Sequence, residues 1–244
     1  MKNLPITERL NKKYPFIDKI SISEGLKLML EDQSKVIYAL KKTLPEIEKT
    51  VFHIYKKLIQ DKKSRLIYCG AGTSGRIALQ DGVELFPTFG WPKKRVDFLI
   101  AGGNKALFSA IENAEDNIIQ PKLHAKKIAL NSSDIVLALA ASGNTPYTIE
   151  VMRIAKVLNC LTVAISNNPN GEILKYAKFK IILDTKEEVI AGSTRMKAGT
   201  AQKICLNLIS SLIMVRLGFV KNSQLINLVA TNEKLRNRQR RIKQ

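Results

Sequence analysis

Two short stretches combine glycine with hydroxyl side chains: GAGTSG at 70–75 and ASGNT at 141–145. Glycine lets a backbone approach a ligand closely, hydroxyls donate hydrogen bonds, and the N-terminus of a helix attracts an anion. Each stretch follows an apolar run and precedes a segment with helical character, and Pro146 suits a first helical turn. Either stretch alone could be a simple helix cap, but the two together predict a phosphate site.

The candidate phosphate ligands of these two loops are Thr73, Ser74, Ser142, Gly143, Asn144 and Thr145. GAGTSG also matches the dinucleotide fingerprint GxGxxG, which needs an acidic residue about 20 positions later to bind the ribose. Asp97 falls inside a predicted strand and not at its end, so a dinucleotide fits poorly.

Carboxylates for acid–base chemistry occur in ELFPTFG at 84–90 and ENAEDN at 112–117. Apolar neighbours of Glu84 would raise the pKa of its carboxyl group and suit it to donate a proton. Glu115 stands in a run with Glu112 and Asp116, and such a run is usually a solvated face. Spacing alone does not choose among these three acids.

The elements that position these loops follow from five short apolar runs, at 66–69, 96–101, 134–140, 161–166 and 179–184. Segments with helical patterns separate most of them, which predicts an α/β fold with a parallel sheet covered on both faces. Ligands of such sheets bind at the carboxyl ends of the strands.

Helical periodicity also predicts the secondary structure of the parts of the chain that flank these strands. We expect one helix capped by Ser23, a second over 34–60 broken near Pro45, and a long apolar helix over 194–217. The predicted organisation is a helical segment 1–60 that packs on the core, a core 61–220, and a basic helical tail 221–244.

A third polar stretch, GSTRMKAGTAQK at 192–203, stands where the last long helix begins. Ser193 is a candidate ligand or cap there, while Arg195, Lys197 and Lys203 place positive charge on the first turns. That charge opposes the helix dipole unless an anion lies nearby. Packing or a subunit contact is the alternative explanation.

Composition excludes several classes of function. The 244 residues are 45% hydrophobic with 25% charged residues, and the net charge is +19. Tail residues 221–244 hold seven lysines and arginines against one acid, but no nucleic-acid-binding motif accompanies them, so we predict no nucleic-acid partner. Three separated cysteines and two histidines predict no disulfide or metal site. No apolar run reaches membrane-spanning length, and we expect a cytoplasmic protein with no membrane partner.

The order of the motifs resembles that of a known family. GAGTSGR followed by ASGNTPY is similar to sugar isomerase (SIS) domains, which bind phosphosugars. TERLN, ELFPTFG, IAGGNKAL, ENAEDN, GSTRMKAGTAQK and ATNEKL extend the likeness along almost the whole chain to the N-acetylmuramic acid 6-phosphate etherases. The glucokinase regulatory protein shares parts of the same pattern.

This resemblance implies an SIS-type three-layer αβα sandwich with a five-stranded, mostly parallel sheet, N-terminal helices and a C-terminal helical segment. It also implies a homodimer that releases D-lactate from the C3 ether of a phosphosugar by elimination and then addition of water, with no metal or cofactor. Glu84 stands at the position of the family's acid, and Glu115 stands at that of its base. The loops 70–75 and 141–145, which we call the hydroxyl loops, and Ser193 stand at its phosphosugar site.

The chain departs from the family pattern at three points. Asn144 stands where arginine is common, ELFPTFG replaces a stretch closer to ECPPTFG, and family members continue into a further helical region beyond about Ile242. The basic tail and the absence of that region make a non-catalytic phosphosugar-binding regulator of the same fold the alternative function. An isomerase fits less well, because ELFPTFG and GSTRMKAGTAQK are not typical of those enzymes.

Overall fold

A computed structural model describes residues 4–227. Its centre is a sheet of five parallel strands, in the order β2-β1-β3-β4-β5. The strands are β1 Leu66–Gly70, β2 Val96–Ile100, β3 Ile135–Ala140, β4 Leu161–Ser166 and β5 Phe179–Ile182. All five predicted strands are confirmed, and the three central ones are almost completely buried because helices cover both faces.

Within residues 4–227, six α-helices surround the sheet: α1 Ile22–Lys42, α2 Leu44–Gln60, α3 Gly72–Phe89, α4 Gln120–Lys127, α5 Pro146–Val157 and α6 Lys197–Arg216. Alternate residues of β1 point into two separate cores. Leu66 and Tyr68 join residues of α1, α2, α3 and α6, whereas Ile67 and Cys69 join residues of α4 and α5. The predicted three-layer αβα arrangement is confirmed.

The N-terminal helices differ in their limits from the prediction. Ser21, not Ser23, caps α1: its hydroxyl accepts from the Glu24 backbone N–H at 3.3 Å, and Glu24 accepts from the Ser21 backbone N–H at 2.9 Å. This reciprocal pair satisfies two backbone donors, so the helix begins two residues earlier. The expected start of a helix at Ser34 is also wrong, since α1 continues to Lys42. The break near Pro45 is confirmed and lies at Thr43.

The helix α6 is long and apolar enough to cross a membrane by length and composition alone. It packs instead against α1, α2 and α3, with Cys205, Ile209 and Ile213 completely buried. This is the pattern of a core helix in a soluble protein.

A short hairpin follows α6, where the basic tail 221–244 was expected to be helical. Strands β6 Val220–Lys221 and β7 Gln224–Leu225 pair antiparallel. Asn222 and Ser223 between them both have positive φ, of 49° and 61°, as a tight two-residue hairpin turn requires. The expected helix is therefore wrong at its start, and the rest of it, 228–244, lies outside the described residues.

Candidate active site

The loop after β1 brings a helix N-terminus to the carboxyl edge of the sheet. A Cβ added to Gly70 would lie 2.9 Å from the Cα of Gly75, so both glycines are needed for α3 to pack this closely on β1. Gly72 begins α3 with a φ of +51°. Thr73 and Ser74 lie in the first turn, where the backbone N–H groups have no acceptors within the helix and point towards an incoming anion.

The loop after β3 forms the second half of the predicted phosphate site. Gly143 has a φ of +72°, and a Cβ there would lie 2.5 Å from the Cα of Gly171, so only glycine fits. The Ser142 hydroxyl accepts from the Asn144 backbone N–H at 3.2 Å, which leaves its own proton to donate to a ligand. Thr145 is the N-cap residue of α5, and its side chain makes no cap hydrogen bond.

Asn144 contributes to the shape of this loop. Its side-chain oxygen accepts from the backbone N–H of Glu172 at 3.0 Å, which ties the loop after β3 to the loop after β4. Its side-chain NH₂ remains as its donor towards a ligand. Whether Asn144 contacts phosphate stays a prediction.

Glu115 joins the two loops. Its Oε1 lies 2.7 Å from the position that a Cβ on Gly72 would occupy, so the carboxylate rests against the start of α3. Its backbone carbonyl accepts from the Tyr147 N–H at 2.9 Å at the start of α5. One acidic residue therefore contacts both helix N-termini, α3 through its side chain and α5 through its backbone.

The environment of Glu115 favours a proton acceptor. Partial burial, followed by the negative charge of Asp116, raises the pKa of the Glu115 carboxyl group, and Arg76 opposes that rise. Because a carboxylate of raised pKa holds a proton more strongly, it is a better general base than an ordinary exposed glutamate.

Glu84 lies elsewhere on α3 and does not have the apolar surroundings expected from its sequence neighbours. Leu85 and Phe89 point into the core, whereas Glu84 is exposed on a different side of the helix. It lines a small cavity with Ile77, Gln80, Asp81, Lys203 and Asn207. Glu84 lies twelve positions after Gly72, which is ~18 Å along the axis of α3. The structure therefore does not bring Glu84 and Glu115 of one chain together.

Ser193 lies in the loop between β5 and α6. Gly199, early in α6, packs so closely on α3 that an added Cβ would lie 3.5 Å from the methyl group of Thr73. The Ser193 carbonyl accepts from the Met196 N–H at 3.1 Å, just before α6 begins. The contact of Gly199 places the beginning of α6 beside α3, and the role of Ser193 in binding a phosphosugar stays a prediction.

Lys197 has a structural partner that the sequence did not reveal. Its side chain is buried, with only 1% exposed, and its ammonium group donates to Asp32 at 2.8 Å and to the carbonyl of Glu187 at 2.7 Å. Glu188 accepts the first two backbone N–H groups of α6, from Lys197 and Ala198. The anions at this helix N-terminus are therefore the protein's own carboxylates, which confirms the packing explanation for Lys197.

One signal in the sequence could have found this pair. Asp32 lies four residues before Val36 and eight before Leu40, on the buried stripe of α1. A charged residue at a core position of an amphipathic helix requires a buried partner of opposite charge.

We expect Lys197→Met to destabilise the fold by about 3–5 kcal/mol, because the substitution leaves Asp32 buried without its main counter-ion. Urea unfolding should show the loss as a lower midpoint at an unchanged slope. Lys41→Met, on the exposed surface of α1, is the matched control and should change stability by less than about 0.5 kcal/mol. Equal midpoints for the two variants would contradict the structural role of Lys197.

Two large aromatic residues and the three cysteines have packing roles. Tyr147 is fully buried and shares a hydrogen bond of 2.9 Å with His124, and Trp91 is 2% exposed. Cys69, Cys160 and Cys205 are free and buried. Within residues 4–227, no three histidine, cysteine or acidic side chains are grouped so that they could hold a metal ion.

The fold and loops define the class of protein first. A model of the SIS domain matches residues 116–211, and a model of the glucokinase regulatory protein N-terminal SIS domain matches residues 47–156. Among solved structures, a phosphoheptose isomerase from Francisella tularensis has a TM-score of 0.60 at 16% identity, covering 80% of this chain and 100% of that one. A putative sugar-phosphate isomerase from Listeria monocytogenes also has a TM-score of 0.60 at 16% identity, over 86% of this chain and 93% of that one. These structures show the SIS fold.

Sequence similarity then gives the family. N-acetylmuramic acid 6-phosphate etherase of Bacillus cereus strain B4264 is 44% identical over 236 residues, which are 97% of this chain and 80% of that protein. The protein of the same name from Mycoplasma mycoides is 43% identical over 232 residues, or 95% of this chain and 76% of that protein. The chain belongs to the N-acetylmuramic acid 6-phosphate etherase family.

Proposed function

We propose that this chain cleaves the D-lactyl ether of N-acetylmuramic acid 6-phosphate and gives N-acetylglucosamine 6-phosphate and D-lactate. Family membership at 44% identity over nearly the whole chain supports the reaction. The observation that carries the proposal is the position of Glu115, whose carboxylate rests against Gly72 while its backbone is bound to the start of α5. A base between two anion-binding helix N-termini suits a phosphosugar substrate.

The hydroxyl loops bind the phosphate in this mechanism. Thr73 and Ser74 approach it from the N-terminus of α3, and Ser142, Gly143, Asn144 and Thr145 approach it from α5. Ser193 supplies a further hydroxyl from the segment before α6. Hydrogen bonds to a charged phosphate are about twice as strong as neutral ones, so they fix the sugar relative to Glu115.

The chemistry needs one base and one acid. In the opened sugar, the C1 aldehyde makes the C2 proton acidic, and Glu115 removes it. Electrons from that C–H bond form the C2–C3 double bond as the C3–O bond breaks, and Glu84 protonates the departing lactyl oxygen. Water then adds at C3, and a proton returns to C2. Lactate leaves with the original ether oxygen, and one water is consumed.

The separation along α3 implies that two chains build each site. C2 and C3 are bonded neighbours in the sugar, whereas Glu115 of one chain rests against Gly72 at the start of α3 and Glu84 lies ~18 Å further along that helix. We therefore propose a homodimer in which Glu84 of one copy completes the site that contains Glu115 of the other. A two-fold axis would form two such sites.

The setting proposed for this reaction is the cytoplasm, with no membrane or nucleic-acid partner. The free, buried cysteines support a reducing compartment.

A phosphosugar-binding regulator is the second candidate, supported by the match of residues 47–156 to the regulatory-protein SIS model. Incubation of the purified protein with N-acetylmuramic acid 6-phosphate, followed by an enzymatic assay of D-lactate, separates the two. Stoichiometric D-lactate supports the etherase. Tight binding of the phosphosugar with no lactate would support the regulator.

Ser142→Ala should weaken binding of the phosphosugar about 10- to 100-fold, since one hydrogen bond to a charged group contributes ~1.5–3 kcal/mol. Binding of unphosphorylated N-acetylmuramic acid should not change. Ser132→Ala, in the loop that precedes β3 at the opposite edge of the sheet, is the control. Calorimetric titration of both ligands checks this, and equal losses for the two ligands would place the phosphate elsewhere.

Asp116→Asn should move the acidic limb of the kcat/KM profile to lower pH. The negative charge of Asp116 raises the pKa of Glu115. Its removal therefore lowers that pKa and leaves the base unprotonated over a wider range on the acidic side. Rate measurements between pH 4 and about pH 8 test this shift, and a limb that moves to higher pH would contradict the assignment.

A further inference from the structure

A second cavity lies at the end of β5, separate from the hydroxyl loops and from Glu115. The chain before α1, the helix α1 and the loop after β5 enclose it, and the cavity has a volume of about 260 Å³. That is smaller than the ~300–1,000 Å³ typical of sites for drug-sized ligands, so the cavity suits a small anion. None of the residues proposed for catalysis or phosphate binding lines it.

Positive charge dominates the lining of this cavity. Its charged residues are Lys13, Lys35, Lys42, Lys186 and Lys197, against Asp184 and Glu187. Asp184 already forms an ion pair with Lys186. The remaining lysines therefore outnumber the acidic groups that face them.

A single carboxylate, that of Asp32, is shared by the charged groups of the inner wall. Asp32 Oδ1 accepts from the Lys197 ammonium group at 2.8 Å, lies 3.3 Å from that of Lys35, and also accepts from the Tyr14 hydroxyl at 3.0 Å. Lys35 contacts the Tyr14 hydroxyl as well. Two ammonium groups and a phenol thus share one carboxylate oxygen.

The neighbouring positive charges affect the pKa of Lys35. Burial lowers the pKa of its ammonium group, and repulsion by Lys197 and then Lys13 lowers it further. Lysines on an ordinary solvated surface spread apart, whereas these are held by three different segments of the chain. An anion between them would remove the repulsion.

We propose that this cavity binds a small phosphate-bearing anion, held by Lys13, Lys35 and Lys42 at its mouth. Lysine ammonium groups are compact charges with three donors on flexible stems, which suits a phosphate approached from several directions. Lys197 stays bound to Asp32 and sets the positive inner wall. The site does not depend on the etherase activity, because it shares no residue with the proposed catalytic machinery.

Site-resolved acylation of lysines tests the proposal on the full chain. The protein is treated briefly with acetic anhydride in increasing inorganic phosphate, and the labelling of each lysine is measured by mass spectrometry. We expect saturable protection of Lys13 and Lys35, with Lys49 and Lys56 on the exposed surface of α2 as unprotected controls. Sodium chloride at equal ionic strength should not protect, and equal protection by chloride would overturn the site.

Three variants test where the phosphate binds. Lys35→Met should raise the phosphate concentration that half-protects Lys13 by about tenfold, because one charged contact is lost, whereas Lys35→Arg should keep protection. Lys35 is 47% exposed, so its truncation leaves the core intact. Ser142→Ala should leave the protection of Lys13 unchanged. If that variant lost the protection, the phosphate would be assigned to the hydroxyl loops instead, and the proposal would be overturned.

A comparison of ligands identifies the source of the phosphate. Half-protection at a lower concentration of N-acetylglucosamine 6-phosphate than of inorganic phosphate would indicate a sugar ester as the ligand. Equal or stronger protection by inorganic phosphate would indicate the free ion. Protection by neither would overturn the proposal, and D-lactate release measured on the same sample tests the etherase activity separately.

Discussion

Glu115→Gln should stop both D-lactate release and exchange of the C2 proton with deuterated water. The amide cannot accept the C2 proton, and general acid–base groups contribute about 10²–10⁴-fold to rate. Glutamine keeps the size of the side chain that rests against Gly72, so the loss reports on the proton and not on packing. Lactate is measured by an enzymatic assay and exchange by proton NMR of recovered substrate.

Glu84→Gln should give a different pattern. If Glu84 only protonates the departing oxygen, its loss should reduce lactate release about 10²–10⁴-fold while exchange at C2 persists. Glu112→Gln, in the same acidic run as Glu115, is the matched control and should keep both activities. Exchange that survives in the Glu115 variant but not in the Glu84 variant would show that the two roles are reversed.

A heterodimer of one Glu84→Gln copy and one Glu115→Gln copy should have about half the wild-type activity, although each variant alone is nearly inactive. Under two-fold symmetry, one of the two sites combines the intact Glu115 of the first copy with the intact Glu84 of the second. The other site lacks both groups. Two affinity tags on co-expressed copies allow the mixed dimer to be purified and assayed.

The control for this experiment has the opposite expectation. A heterodimer of wild type and the Glu84→Gln, Glu115→Gln double variant should be nearly inactive, because each of its sites then lacks one carboxyl group. If both glutamates acted within one chain, the heterodimer of wild type and double variant would keep half the activity. The heterodimer of the two single variants would then have almost none. The pair of measurements therefore decides between the two arrangements. The separation of Glu84 from Gly72 along α3 favours the shared site.

The sequence predicted most of the fold because its signals are local. All five apolar runs became parallel strands, and the alternation of strands with helices required covered faces. Errors occurred at the ends of elements, where a few side chains decide. Ser21 with Glu24 completes a capping box that Ser23 lacks, and the left-handed residues Asn222 and Ser223 turn the chain into a hairpin.

The two hydroxyl loops were also readable from the sequence, since parallel strands present their carboxyl ends at one edge of the sheet. The sequence pattern alone did not identify Glu115 as the base among the acids of 112–116, and only the family resemblance did so. Proximity to Gly72 depends on how the loop after β2 folds over the start of α3, and no local pattern specifies that contact.

By itself, the sequence determined the succession of strands and helices along the chain, the two loops rich in glycine and hydroxyl groups, and the family, because each depends on residues close together in the chain. Only the tertiary structure decided which charges meet. It placed Asp32 against Lys197 across 165 positions, turned Glu84 to the exposed side of α3, and gathered lysines from three segments around one cavity. Electrostatic interactions depend on distance and burial in space, and these quantities are set only when the helices have packed on the sheet.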